Sequence, residues 1–289
     1  MTLTFDFTGR AVLVTGATRG IGHGIASLFA KAGARVAVLD LDPAALEETW
    51  GTRTDTIAPI AVDVADPEAV AAAVDDVVRW AGSVDVAVNN AGITRDGVVW
   101  KLTDAAWAQV LDVHLGGTFH VTRAVVPHMR AAGFGRIVNV GQANYAAAGR
   151  VRQLRVRAAC GVQVVSRKAP PAAHTGYSQG RQRREGPPGR RELGPSIAGP
   201  SMAGIIGFTK TVAKEVARFG ITVNAVSPNA ATAVVAGVPE AKLAELTAAI
   251  PMSRFADPAE MAPAVAFLAS AEAGYMTGTV LPVDGGMSM

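Results

Sequence analysis

The sequence predicts an α/β fold, a doubly wound parallel sheet in a single domain over residues 1–289. Two observations support this prediction. Short apolar runs alternate with helical stretches along most of the chain, and a glycine-rich turn joins the first run to the first helix. Such alternation implies right-handed crossovers, with helices on both faces of the sheet. Ligands then bind at the carboxyl ends of the strands, so these ends are where candidate site residues are sought.

The first predicted strand begins at residue 12, and the helix after the turn covers residues 21–32. Glycine at position 16 permits a tight exit from the strand, and glycines at 20 and 22 let a pyrophosphate approach the backbone. The free N–H groups and the positive dipole end of the helix then face that anion. The candidate coenzyme-binding residues of this turn are Gly16, Arg19, Gly20, Ile21 and Gly22.

The later elements follow in order. Further strands are predicted at residues 35–39, 57–62, 84–88, 136–140, 222–226 and 280–283. Helices are predicted at residues 44–49, 103–131 and 203–219, with two more beginning after residues 66 and 257. Asp66-Pro67 has the form of an N-cap followed by a first-turn proline, and Asp257 to Glu260 has the form of a capping box.

Two charged residues bear on which coenzyme is bound. Asp40 ends the second strand, some 20 residues past the glycine turn, where a carboxylate accepts hydrogen bonds from ribose hydroxyls and repels a 2′-phosphate. Arg19 favours NADP(H) instead, because a guanidinium in the loop could reach a 2′-phosphate. We give Asp40 the greater weight, so NAD(H) is favoured over NADP(H).

The glycine spacing Gly-x-x-x-Gly-x-Gly and the run Asn89-Asn90-Ala91-Gly92 resemble the short-chain dehydrogenase/reductase family. The resemblance covers roughly residues 8–140 and 203–289 and is closest to bacterial 3-oxoacyl-[acyl carrier protein] reductases. It implies a Rossmann-type fold and a coenzyme site. The further binding residues that it implies are Asp63, Val64, Asn90, Ala91 and Gly92.

His114 stands where the family usually has a catalytic asparagine that holds a proton-relaying water. Histidine can also carry a proton, so His114 is a candidate catalytic residue. The alternative is that it packs or caps within the helix.

The family pattern breaks at residues 141–202. Its chemistry needs a serine after the fifth strand and then Tyr-x-x-x-Lys, because a lysine one helical turn away stabilises the phenolate. Residues 141–148 resemble the segment around that tyrosine and make Tyr145 the candidate acid, but they leave no room for the serine loop, and the lysine position is Gly149. The pattern resumes at residue 203, preceded by Ala198 and Met202 at the tyrosine and lysine positions.

The intervening residues 149–202 are rich in Arg, Pro, Gly and Ala. Tyr177 and Arg181 form a substitute Tyr-x-x-x-Arg there, with Ser166 upstream, but the flanks of Tyr145 match better. Two origins remain open. The composition is that of a GC-rich gene read in the wrong frame between two compensating shifts, or the segment is a genuine insertion. Resequencing the gene separates the two.

The pI near 9.2 does not indicate a nucleic-acid partner. Residues 149–193 carry a net charge of +9 and the whole chain +3, so the remainder carries −6. Tyr177 is the one aromatic residue among these arginines, so no stacking platform is evident. No secretory signal, membrane span or metal site is expected, and the single Cys160 fits a reducing cytoplasm.

Two functions are consistent with these patterns. The first is an NAD(P)-dependent oxidoreductase that reduces a 3-oxoacyl thioester or similar ketone to the hydroxy compound. The second is an NAD(H)-binding protein whose catalysis is impaired or lost, because the Ser and Tyr-x-x-x-Lys constellation is disrupted. The resemblance implies a small-molecule or acyl-thioester substrate and assembly as a homodimer or homotetramer.

Overall fold

The computed structural model describes residues 4–95, 99–141, 198–231 and 240–288, which belong to one compact unit. The strands are β1 (Ala11–Thr15), β2 (Arg35–Asp40), β3 (Ile57–Ala61), β4 (Val86–Asn89), β5 (Gly135–Val140), β6 (Ile221–Pro228) and β7 (Val280–Val283). The α-helices are α1 (Gly20–Lys31), α2 (Pro43–Trp50), α3 (Pro67–Ala81), α4 (Asp104–Leu111), α5 (Gly117–Ala132), α6 (Ala198–Val216), α7 (Glu240–Ala248) and α8 (Ala262–Ala269).

The seven strands form one sheet in the order β3-β2-β1-β4-β5-β6-β7, and every neighbouring pair is parallel. The predicted doubly wound sheet is thereby confirmed. The strand order reverses between β1 and β4, which pair in the register Val12 to Val86 and Val14 to Val88. A crevice opens at such a reversal, at the carboxyl ends of the strands. The glycine-rich turn and the Asn-Asn-Ala-Gly run both leave the sheet at this point.

Each face of the sheet has its own apolar core. Val12 and Val14 of β1 contact a cluster that includes Phe29 of α1 and Leu268 of α8. Leu13, between them, points to the opposite face, where α3, α5 and α6 pack. Successive side chains of a strand point to opposite faces, so the continuous apolar run of β1 fits a strand covered on both sides.

The helical region predicted at residues 103–131 is not uniform. Thr103 caps α4, and a π-helical turn over Asp112–Gly116 separates α4 from α5. Such turns insert one extra residue and often occur at functional sites. His114 lies in this turn, and Gly117 just after it lets α5 approach Val64, whose methyl carbon would lie 2.8 Å from a Cβ at that glycine.

The predicted N-cap of α3 is confirmed. The Asp66 carboxylate accepts hydrogen bonds from the amides of Glu68 and Ala69 at 2.9 and 3.1 Å. Asp66→Ala should lower the free energy of unfolding by about 1 kcal/mol, because two first-turn amides lose their acceptor. The unfolding midpoint in a thermal melt should then fall by about 2–4 °C. Asp55→Ala, an exposed aspartate outside any cap, is the control, and an equal loss there would refute the capping role.

Some predicted residues lie outside the described part of the chain. They are Tyr145, Ser166 and Tyr177 with the rest of residues 142–197. No helix of the described residues is long and apolar enough to cross a membrane.

Candidate functional site

The glycine-rich turn packs backbone against backbone. Gly16 has a φ of +66°, and a Cβ there would lie 2.9 Å from the Cα of Ala91. A Cβ at Gly22 would overlap the carbonyl oxygen of Gly16 and the side-chain amide of Asn90. Gly16 and Gly22 are therefore required because other parts of the protein backbone approach them too closely for a side chain. This requirement does not depend on a ligand.

Gly20 has a different environment. It has a φ of +57°, and a Cβ placed on it would meet nothing within 4 Å. It opens α1, whose N-cap residue Arg19 is extended, exposed and makes no side-chain capping bond. The first turn of α1 also contains no acidic residue. The first amides of a helix lack an intrahelical acceptor, so this end offers N–H groups and a positive dipole to an anion. The geometry fits the pyrophosphate of a dinucleotide.

Thr15 connects the two loops of the crevice. Its buried hydroxyl oxygen accepts hydrogen bonds from the amides of Asn90 and Ala91, each at 3.0 Å. In return, the side-chain amide of Asn90 donates to the carbonyls of Thr15 and Gly16 at 3.0 and 3.1 Å. Sequence reasoning assigned no role to Thr15, although a threonine leading the glycine pattern was a visible signal.

Hydrogen bonds from Thr18 and Leu41 fix the orientation of the Asp40 carboxylate. Oδ2 accepts hydrogen bonds from the amide and hydroxyl of Thr18 at 3.0 and 2.6 Å, and Oδ1 accepts from the amide of Leu41 at 2.8 Å. The indole of Trp50 donates to the carbonyl of Ala17 at 2.9 Å and supports the same loop. Asp40 therefore stands at the end of β2 as predicted, with its orientation fixed by the glycine loop.

Asp63 and Val64, in the loop after β3, differ in exposure. Asp63 is exposed, and its Oδ1 accepts a hydrogen bond from the amide of Ala65 at 2.9 Å. Val64 is buried, and its carbonyl lies 2.9 Å from Nδ1 of His120 on α5. Asp63 and Gly92 are thus both exposed, whereas Val64 is buried beside α5.

The side chains of Asn89 and Asn90 bind different partners. Asn90 ties the loops, whereas the amide of Asn89 is buried and donates to the Oδ1 of Asn139 on β5 at 2.8 Å. Asn139 in turn donates to the hydroxyl of Thr209 on α6 at 2.8 Å. This buried chain fixes α6 against the sheet near the carboxyl ends of β4 and β5.

His114 is buried, with 5% of its surface exposed. Its Nε2 lies 2.9 Å from the amide nitrogen and 2.8 Å from the carbonyl oxygen of Ile93, just behind Gly92. Its Nδ1 lies 3.0 Å from Oγ of Ser201 on α6. Burial lowers the pKa of His114, and the hydrogen bond with the Ile93 backbone opposes that shift. The lowered pKa favours the neutral form of the ring, which joins the loop after β4 to α6.

Helix α6 begins before residue 203, where the predicted helix and the family pattern start. Ala198 is its first residue, and Met202 is buried against Gly141, where a Cβ would overlap its sulfur. The position predicted to correspond to the family's lysine thus holds an apolar side chain at the end of β5. Sequence reasoning missed Ser201, one residue earlier, and no signal in the sequence pointed to it.

No group of three or more His, Cys, Asp or Glu side chains within the described ranges is arranged to hold a metal ion.

Comparison with known proteins agrees with this geometry. Residues 10–151 match the family described as short chain dehydrogenase, and residues 192–288 match that described as enoyl-(acyl carrier protein) reductase. The 3-oxoacyl-[acyl-carrier-protein] reductase of Vibrio cholerae is 34% identical over 295 residues, covering 98% of this chain and 99% of its own length. The Thermotoga maritima protein of the same name is 34% identical over 294 residues, with coverages of 96% and 98%.

An Escherichia coli K12 protein named oxidoreductase UcpA is 33% identical over 293 residues, covering 98% of this chain and 95% of its own. The relatives thus span nearly the whole chain, and the first family match includes the glycine turn and the Asn-Asn-Ala-Gly run. The chain belongs to the short-chain dehydrogenase/reductase family, whose members are oxidoreductases that bind NAD(P)(H).

Proposed function

We propose that this protein reduces a 3-oxoacyl thioester, or a similar ketone, to the hydroxy compound with NAD(H). The observation that carries the proposal is the crevice between the ends of β1 and β4. There the uncapped start of α1 faces open space at Gly20, and Thr15 and Asn90 hold the two loops together. Relatives named 3-oxoacyl-[acyl-carrier-protein] reductase support the substrate class.

The coenzyme, when bound, supplies a hydride to the carbonyl carbon. The chain must then deliver a proton to the carbonyl oxygen, and we assign that role to Tyr145. A tyrosine is a weak acid at neutral pH and needs a cation or a hydrogen-bonded relay to do so. We assign His114 to the relay, because it lies between the loop behind Gly92 and the start of α6.

We favour NAD(H) because Asp40 ends β2 with its carboxylate fixed by Thr18. A carboxylate held at that place accepts hydrogen bonds from the ribose hydroxyls and repels a 2′-phosphate. Arg19 is the opposing feature, since it is exposed beside the same loop.

A second function is favoured by one observation, the buried Met202 at the position expected for the lysine. Without an ammonium group the phenolate of a tyrosine loses its main stabiliser. The second function is binding of NAD(H) without turnover. It predicts that NADH binds, with a change in its fluorescence, and that an acetoacetyl thioester causes no oxidation of NADH.

Tyr145→Phe tests the assignment of the acid. We expect NADH oxidation by an acetoacetyl thioester to fall by about 100-fold or more, because general acid catalysis is lost, while NADH affinity stays unchanged. Absorbance at the NADH band gives the rate, and fluorescence titration gives the affinity. Tyr177→Phe is the matched control and should retain full activity. If Tyr145→Phe keeps its activity and Tyr177→Phe loses it, the assignment to Tyr145 is wrong.

We also propose that the protein is cytoplasmic and forms a homodimer or homotetramer. The single cysteine of the sequence fits a reducing compartment. Tyr275 and Met252 are large apolar side chains that stand exposed on this protomer, which fits a further contact surface. Sedimentation or light scattering of the purified chain measures the assembly directly.

A further inference from the structure

We propose that Ser201 is a positioning residue that fixes the proton on the ring of His114 and so holds the backbone of Ile93 behind the coenzyme crevice. The proposal rests on the proposed function, since Ile93 follows the Asn90-Ala91-Gly92 loop that is expected to line the coenzyme. It adds to the site a residue on α6 that lies just before residue 203, where the predicted pattern resumes.

The geometry is a buried chain of three groups. Oγ of Ser201 lies 3.0 Å from Nδ1 of His114, and Nε2 of the same ring lies within 2.9 Å of both the nitrogen and the oxygen of Ile93. Ser201 is fully buried and His114 is 5% exposed. Bulk water therefore does not compete with these contacts, and each donor must find its acceptor within the protein.

Donor and acceptor roles decide where the proton lies. The backbone N–H of Ile93 can only donate, and it is directed at Nε2, so we assign Nε2 as its acceptor. A neutral imidazole has one N–H, which must then be on Nδ1 and is donated to Oγ of Ser201. The carbonyl of Ile93 also lies 2.8 Å from Nε2, and in the opposite tautomer Nε2–H donates to it while Nδ1 accepts from the hydroxyl of Ser201.

Loss of the Ser201 hydroxyl changes this balance. A buried Nδ1–H without an acceptor is costly, so the proton moves to Nε2 and is donated to the carbonyl of Ile93. The amide of Ile93 then faces an N–H group instead of a lone pair. Ser201 thus determines which backbone group of Ile93 the histidine holds.

An asparagine at position 114 would remove this dependence. A side-chain amide offers one acceptor and two donors, so it can bond both the N–H and the carbonyl of Ile93 without help from α6. In His114→Asn, the further change Ser201→Ala should therefore have no effect on Ile93 or on coenzyme affinity.

The experiment is nitrogen NMR of the histidine-labelled full chain, combined with hydrogen exchange at the Ile93 amide. We expect the wild-type ring of His114 to carry its proton on Nδ1. In Ser201→Ala we expect the proton on Nε2 and exchange at Ile93 faster by about tenfold, because that amide loses its acceptor. The NADH dissociation constant, from fluorescence titration, should rise by about fivefold. Thr211→Ala removes an exposed hydroxyl from the same helix and is the matched control.

A wild-type ring protonated on Nε2 overturns the proposal without the need for any variant. So does a Ser201→Ala protein that keeps the Nδ1 proton and the slow exchange of Ile93. If Ser201→Ala does not fold, the test compares the single variant His114→Asn with the double variant His114→Asn/Ser201→Ala. Equal hydrogen-exchange rates at the Ile93 amide in these two proteins support the proposal. Different rates refute it. The ring and exchange readouts need no coenzyme, so failure of the proposed function would appear separately, as an absence of NADH binding.

Discussion

Gly22→Ala is expected to abolish most coenzyme binding. A methyl group at this position would overlap the carbonyl oxygen of Gly16 and the side-chain amide of Asn90, so the glycine loop and the loop after β4 must separate. We expect the NADH dissociation constant to rise by about 100-fold, which corresponds to about 2.7 kcal/mol. Fluorescence titration with NADH measures the loss, and a thermal melt reports the accompanying loss of stability.

Gly207→Ala is the control for this prediction. Gly207 is an exposed glycine within helix α6, and a Cβ there would meet nothing within 4 Å. The same substitution should leave NADH affinity unchanged and raise stability by about 0.5–1 kcal/mol, because alanine favours the helix. Unchanged NADH affinity in Gly22→Ala would show that the coenzyme does not bind at this loop.

Asp40→Asn is expected to shift the coenzyme preference from NADH toward NADPH. The amide keeps the shape of the side chain and an oxygen for the Thr18 donors, but it removes the negative charge that repels a 2′-phosphate. We expect the ratio of the NADPH to the NADH dissociation constant to fall by about tenfold or more, which corresponds to at least about 1.4 kcal/mol. Parallel titrations with the two reduced coenzymes give this ratio.

Two variants separate charge from loop structure. Asp55→Asn removes an exposed carboxylate before β3, at the amino ends of the strands and away from the carboxyl end of β2 where Asp40 lies, and should leave the ratio unchanged. Thr18→Val removes the hydroxyl that bonds Asp40 and keeps the charge, so it should weaken both coenzymes together. A ratio that does not change in Asp40→Asn would exclude this carboxylate as the determinant of preference.

The fold was largely accessible from the sequence, because its signals are local. Apolar runs and helical periodicity predicted the seven strands found in the described part of the chain, with ends that differ by a few residues. Asp66 predicted the start of α3 correctly, and Asp257 that of a 3₁₀ helix over Pro258–Met261 that leads into α8, since a cap and the amides that it binds lie within three residues. The π-helical turn at Asp112–Gly116 was not predicted, because it is a single turn within a longer helical region and no capping residue marks its start.

The candidate site was accessible only in part. The glycine positions could be predicted because their requirement is a backbone conformation or a close approach that few other residues allow. The roles of Thr15 and Asn90 could not, because these partners are 75 residues apart and meet only when β1 and β4 become neighbours. Ser201 and His114 are 87 residues apart and meet only when α6 packs beside the π-helical turn.

The sequence by itself determined the class of fold, the glycine-rich turn and the family, because each is encoded in short stretches whose physics is local. Only the tertiary structure decided that Thr18 orients Asp40, that Met202 fills the space beside Gly141 and that Ser201 reaches His114. The reason is that a hydrogen bond or a close contact depends on which elements become neighbours, and that order is a property of the folded sheet.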